Sequence, residues 1–170
     1  MFNAIELTAD EAVLEKQVHW DDPDSMNLEA MGQLAESLIG RKAIRPVRHD
    51  YFIKPEMFIG GHGKKSHADV FAEKGITGKA LFRNPSFAKY LRYFIFGPDL
   101  PDDTIQGFQQ IIDDDEGTSG ELLNQITAFV RSEVRQKSLN GRHEEFFKLA
   151  HELEKPEWAD DVRKAAMSIR

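Results

Sequence analysis

Ser119-Gly120-Glu121-Leu122-Leu123-Asn124-Gln125-Ile126-Thr127-Ala128-Phe129-Val130-Arg131-Ser132-Glu133-Val134 places its apolar residues three and four positions apart. That spacing decides the fold class, because only a helix brings Leu122, Leu123, Ile126, Phe129, Val130 and Val134 onto one side. The segment predicts the longest helix of the chain, from Ser119 to about Leu139, closed by Asn140-Gly141.

The same period recurs on both sides. Downstream, Phe146, Leu149, Ala150 and Leu153 define a helix, and Pro156 opens a last one containing Trp158, Val162 and Met167. Upstream, Pro101 to about Asp114 turns Ile105, Phe108, Ile111 and Ile112 inward. Asn84-Pro85 combines an N-cap with a proline at the first helical position, and that helix carries Phe87, Leu91, Phe94 and Ile95 until Gly97-Pro98 stops it. Thr8 followed by Glu11 is a capping box opening a helix to about His19, with Ala9, Ala12, Val13 and Val18 on its apolar side. Leu28, Met31, Leu34, Ala35 and Leu38 form the stripe of another, which Gly40 is placed to end in a left-handed cap. The expected architecture is all-α, an irregular helical bundle of about seven or eight helices in a single domain over residues 1–170. Within it, charge and pattern mark off an acidic helical hairpin (1–40), a basic segment (41–97) and an acidic bundle (98–170).

The period fails from Arg41 to Lys65, where Pro46, Pro55, Gly60, Gly61 and Gly63 interrupt any helix and Tyr51-Phe52-Ile53 and Met57-Phe58-Ile59 read as short extended pieces. So long an irregular stretch in a compact domain points to a binding loop.

The chain has no cysteine, which excludes disulfides, thiolate metal sites and a cysteine nucleophile and fits a reducing compartment. No basic-then-apolar leader stands at Met1, and clusters such as Tyr93-Phe94-Ile95-Phe96 are far too short for a membrane span. The sequence therefore reads as a soluble cytoplasmic protein. Its net charge of −7 conceals a strong segregation: −8 over residues 1–40, +8 over 41–92 and −7 over 93–170. Two explanations fit. The basic middle either meets an anionic partner or packs against its own acidic flanks.

Within the middle, Asp69 to Lys74, Gly75 and Ile76 to Arg83 read as helix, turn and helix. Gly75 can adopt the positive φ of the turn, Thr77 can cap the second helix, Ala80 and Leu81 face inward, and Lys79 and Arg83 stay free for phosphates or base edges. Gly75-Ile76-Thr77-Gly78-Lys79-Ala80-Leu81-Phe82-Arg83, followed by Lys89 and Leu91, resembles the DNA-binding element of TetR-type regulators, and the likeness covers residues 69–91. The resemblance implies a recognition helix at 77–83 set in the major groove. The sequence departs from that family in carrying the element in mid-chain and in having Phe71 where a small residue is usual.

Gly60-Gly61-His62-Gly63-Lys64-Lys65-Ser66 could cradle an anion on backbone amides, but it lacks the glycine spacing of a nucleotide-binding loop. Arg41, Arg45, Arg48 and Arg92 lie in the same region as Tyr51, Tyr90 and Tyr93, a mixture that suits nucleic acid or a salt-bridged surface equally, with Tyr90 and Tyr93 read as core. His49, His62, His67, Asp50 and Asp69 have no recognised ligand spacing, so no metal is expected. Asp113-Asp114-Asp115-Glu116 reads as a solvated run or a contact for a basic partner, and His143-Glu144-Glu145 as surface charge. No nucleophile is paired with a base, and neither catalysis nor a cofactor is expected. The leading expectation is a nucleic-acid-associated regulatory protein touching DNA or another nucleic acid through Lys64, Lys65, Thr77, Lys79, Arg83 and Lys89. The alternative is a helical adaptor or inhibitor that binds a protein partner.

Overall fold

A computed structural model describes residues 7–20, 22, 24–43, 70, 73–74, 78–114, 119–139 and 141–154. Among the described residues there are seven helices and no strand: α1 (Ala9–Val18), α2 (Leu28–Gly40), α3 (Gly78–Arg83), α4 (Pro85–Phe96), α5 (Asp102–Asp114), α6 (Ser119–Gln136) and α7 (His143–Glu154). The all-α reading holds. The helix expected from Pro156, the extended pieces near 51–59 and the side chain of Leu153 lie outside the described residues.

The local signals that open the helices act as the sequence implies. Thr8 Oγ1 accepts from the Glu11 amide at 3.2 Å while Glu11 returns a bond from the Thr8 amide at 3.0 Å, a complete capping box. Asn27 caps α2 through the Ala30 amide, and Asn84 caps α4 through the Phe87 amide with Pro85 behind it. Gly97, at φ 86°, ends α4.

Gly40 does not end α2 in a left-handed turn. It remains helical, and Lys42 takes the positive φ of 53°. The Lys42 amide reaches Ile39 O and the Ala43 amide reaches Leu38 O, which are the two bonds of a Schellman ending displaced by two residues. Buried Leu38 and Ala43 supply the apolar contact that holds the turn there.

α1 and α2 form an antiparallel hairpin, with the Asn27 amide bonded to Val18 O at its closed end and Arg41 reaching Glu11 at its open end. On α1 Val18 is buried as expected, but Ala9 and Val13, expected on the same side, are exposed, Val13 to 54%; Leu14 packs against the core, and Glu11 occupies the buried position between the two helices.

α4 is central. Phe87, Ala88, Tyr90, Leu91 and Tyr93 to Phe96 are all buried, against α2 on one side and α3 and α7 on others. Contacts between α2 and α4 ascend together in both helices, from Gly32 with Ser86 through Glu36 with Lys89 to Ala43 with Tyr93. The two helices are therefore parallel, so the chain between them must travel back the length of α2, about 20 Å for its 13 residues. This accounts for a long connection in a domain otherwise made of short ones. At the crossing, a Cβ on Gly32 would sit 2.5 Å from Ser86 Cβ, which is why glycine stands in that helix interior.

The second half is an up-and-down arrangement. α5 and α6 run antiparallel, with Gly107 against the Phe129 ring, and α7 returns from Gly141 and Arg142, where the Arg142 amide is bonded to Phe94 O at 3.0 Å. Phe96 meets Phe108 edge-on at 6.3 Å, joining the two halves in one apolar core.

Candidate functional site

α3 is the described part of the helix–turn–helix reading. Leu81 and Phe82 are buried, with the Phe82 ring tilted against Phe87 at the start of α4, centroids 6.1 Å apart. Ala80, expected inward, is exposed. In a helix this short, adjacent Leu81 and Phe82 fix the buried side, and Ala80 falls outside it. Arg83 is exposed, and its Nε donates to Ile112 O at 3.2 Å, satisfying a carbonyl in the last turn of α5. Lys79 is part-buried. Lys89 is part-buried on α4, 3.4 Å from Glu36 of α2. Lys64, Lys65, Thr77, Gly75 and the potential ligands His49, Asp50, His62, His67 and Asp69 lie outside the described residues. Among the described residues no group of three or more His, Asp and Glu side chains is placed to hold a metal ion, and no helix is long and apolar enough to cross a membrane.

The described cations of the basic middle have a common arrangement. Arg41 is paired with Glu11 at 2.8 Å, Lys42 with Asp99 at 3.6 Å and Lys89 with Glu36 at 3.4 Å; Lys74 donates to Asp24 O at 2.8 Å, and Arg83 to Ile112 O. Each of these contacts joins the basic middle to one of the acidic flanks. Tyr90 and Tyr93 are buried, as expected of core residues: Tyr90 packs 5.3 Å from Trp20, and the Tyr93 hydroxyl donates to Ala43 O at 2.8 Å. Burial raises the Tyr93 phenol well above its ordinary value.

The Arg41–Glu11 contact is the most demanding electrostatically. Glu11 is sealed from solvent at 0% exposure and accepts from both nitrogens of the Arg41 fork and from Ser37 Oγ at 2.5 Å. Those bonds hold its carboxyl down to about 2 despite burial, and the same contact raises Arg41. A second polar cluster joins α5 to α6. The Lys137 ammonium donates to Asp103 and Glu133 at 2.8 Å and to Thr104 Oγ1 at 2.7 Å, while Thr104 Oγ1 donates to Glu133 at 2.5 Å. Sequence alone gives the i,i+4 spacing of Glu133 and Lys137 but no sign of Thr104 or Asp103, which arrive from another helix.

Arg92 stands apart. It is part-buried on α4 with no hydrogen bond or ion pair among the described residues, and burial alone lowers its guanidinium from the ordinary value.

No protein-family model matches this chain, and neither a curated protein nor a solved structure is detectably similar to it.

Proposed function

We propose that this chain is a helical protein-interaction module, an adaptor or inhibitor working in the cytoplasm without catalysis. The supporting observation is the use made of the segregated charge. Arg41, Lys42, Lys74, Arg83 and Lys89 are bonded to the chain's own acidic flanks, so in the described residues this charge is directed onto the chain itself. Carboxylates outside those pairs, such as Asp102 and Asp114 at the two ends of α5, remain exposed for a basic partner.

A second reading is a nucleic-acid-associated regulatory protein that uses Lys64, Lys65, Thr77, Lys79, Arg83 and Lys89. It is favoured by α3, where Leu81 is buried while Arg83 is exposed, as a recognition helix requires.

One pair of measurements separates them. Anisotropy with a labelled duplex, titrated from about 50 to 200 mM salt, gives no saturable binding for the interaction module. Steep salt dependence that weakens in Lys79→Ala and Arg83→Ala would decide for nucleic acid. Affinity enrichment from the native cell should recover a recurrent partner with the wild-type chain and lose it with Asp102→Lys/Asp114→Lys. Equal recovery by both sinks the acidic-face reading.

A further inference from the structure

Arg92 is the one described cation of the basic middle that is part-buried and has no bonded partner among the described residues. It lies in the interior of α4, between buried Leu91 and Tyr93, and so cannot move away from the core without the helix. A guanidinium offers five N–H donors in a rigid fork, and taking it partly out of water with no counter-charge is unfavourable. Elsewhere the same chain avoids that situation: Arg41, Arg83 and Arg142 each reach an oxygen.

Lys89 stands one helical turn earlier, on the same side of α4. Its bond to Glu36 is long, at 3.4 Å, and both groups are substantially open to solvent, with 37% and 73% of their side-chain surface exposed. An incoming anion can take Lys89 over from Glu36 at small cost, because exposed pairs of this kind contribute little. Arg92 then supplies a planar fork and Lys89 a movable point charge. Two adjacent cations match a dianion better than a single carboxylate, and phosphate presents enough oxygens to meet both.

We propose that Arg92 and Lys89 on α4 form a receptor site for a phosphate group. The site stands independently of the protein-interaction reading, and its failure would leave that reading intact.

The test is thermal unfolding and calorimetry of the full chain in chloride buffer at constant ionic strength. The probes are inorganic phosphate, glycerol phosphate as a monoester, and acetate as a carboxylate control, all at low millimolar concentration to limit general salting effects. Phosphate or its ester is expected to raise Tm by about 5 °C or more at roughly a hundred times Kd. A larger response to the ester assigns the site to phosphorylated molecules, and an equal one to free phosphate. Arg92→Met should abolish the response, and Arg92→Lys should weaken binding about tenfold by removing the fork. In chloride alone Arg92→Met should unfold at the same temperature as the wild type or higher, because it removes an uncompensated charge; an arginine with a structural partner would give the opposite shift. The proposal is overturned if Arg92→Met responds to phosphate like the wild type, if it lowers Tm in chloride, or if acetate stabilises as well as phosphate does.

Discussion

Arg41 grips Glu11 with both arms of its fork, Nε to Oε2 at 2.9 Å and Nη2 to Oε1 at 2.8 Å, and thereby ties the first turn of α1 to the end of α2. Glu11 is sealed from water and Arg41 is partly exposed, so the two ends of the pair are unequal.

That inequality gives a pH prediction. The folded-state carboxyl of Glu11 lies at about 2, below its ordinary 4.5. A depressed carboxyl stabilises the fold fully above the unfolded value, and that stabilisation is lost as pH falls through the folded one. Stability should therefore decline between about pH 4.5 and pH 2 by on the order of 2–3 kcal/mol from this group. Chemical denaturation of Glu11→Gln across that range should show a shallower acid limb than the wild type. Arg41→Ala should be the more damaging change at neutral pH, since it leaves a buried carboxylate behind.

Glycines give a contrast of sign. A Cβ at Gly32 meets Ser86 at 2.5 Å, and one at Gly141 collides with the Ile95 carbonyl and lies 2.5 Å from Phe96 C, both of them backbone. Gly32→Ala and Gly141→Ala should each cost about 1–3 kcal/mol or more, Gly141→Ala the greater because backbone cannot swing aside. Gly40→Ala meets nothing within 4 Å at a helical position and should be neutral or stabilise by about 0.4–1 kcal/mol. Urea midpoints of the three variants check the order.

Thr104 is fully buried between Glu133 and Lys137. Thr104→Val keeps the shape and deletes the hydroxyl, so Glu133 loses a donor and Lys137 an acceptor. The expected loss is about 1–3 kcal/mol by denaturant unfolding. An unchanged midpoint would show that the α5–α6 contact rests on apolar packing alone.

Tyr93→Phe removes the bond to Ala43 O, which holds the C-terminal turn of α2 against α4. A cost of about 0.5–1.5 kcal/mol is expected. Amide exchange at Lys42 and Ala43 should rise with it, because the Schellman ending loses its outside support.

The all-α class, the caps at Thr8 and Asn84, and the stripes of α5 to α7 were legible because their causes lie within a few residues of sequence. The end of α2 was misread because Gly40 carries the composition of a left-handed cap, whereas burial of Leu38 and Ala43 decides where the turn falls. Val13 departs from the expectation because the inward side of α1 is set by the buried Glu11–Arg41 pair more than by apolar period. Charge segregation was legible as a pattern, but its pairing was not. Lys89 finds Glu36 across 53 residues, a relation that exists only once α2 and α4 lie parallel. Arg92 shows the same limit, since sequence gives a cation while only the fold shows one part-buried without a counter-charge among the described residues.

The parallel setting of α2 and α4 also bears on how the molecule assembles. The hairpin of α1 and α2 closes between Val18 and Asn27, only nine residues apart, whereas Tyr93 and Ala43 are separated by 50. Chain closure over the longer span costs about 1.5 kcal/mol more in entropy before any contact rewards it. Local pairs, α1 with α2 and α5 with α6, therefore meet at lower entropic cost, while docking of α4 on α2 waits for a long-range search. Folding speed should be governed by that docking step, and substitutions at the Gly32–Ser86 crossing should slow refolding more than those in either local hairpin.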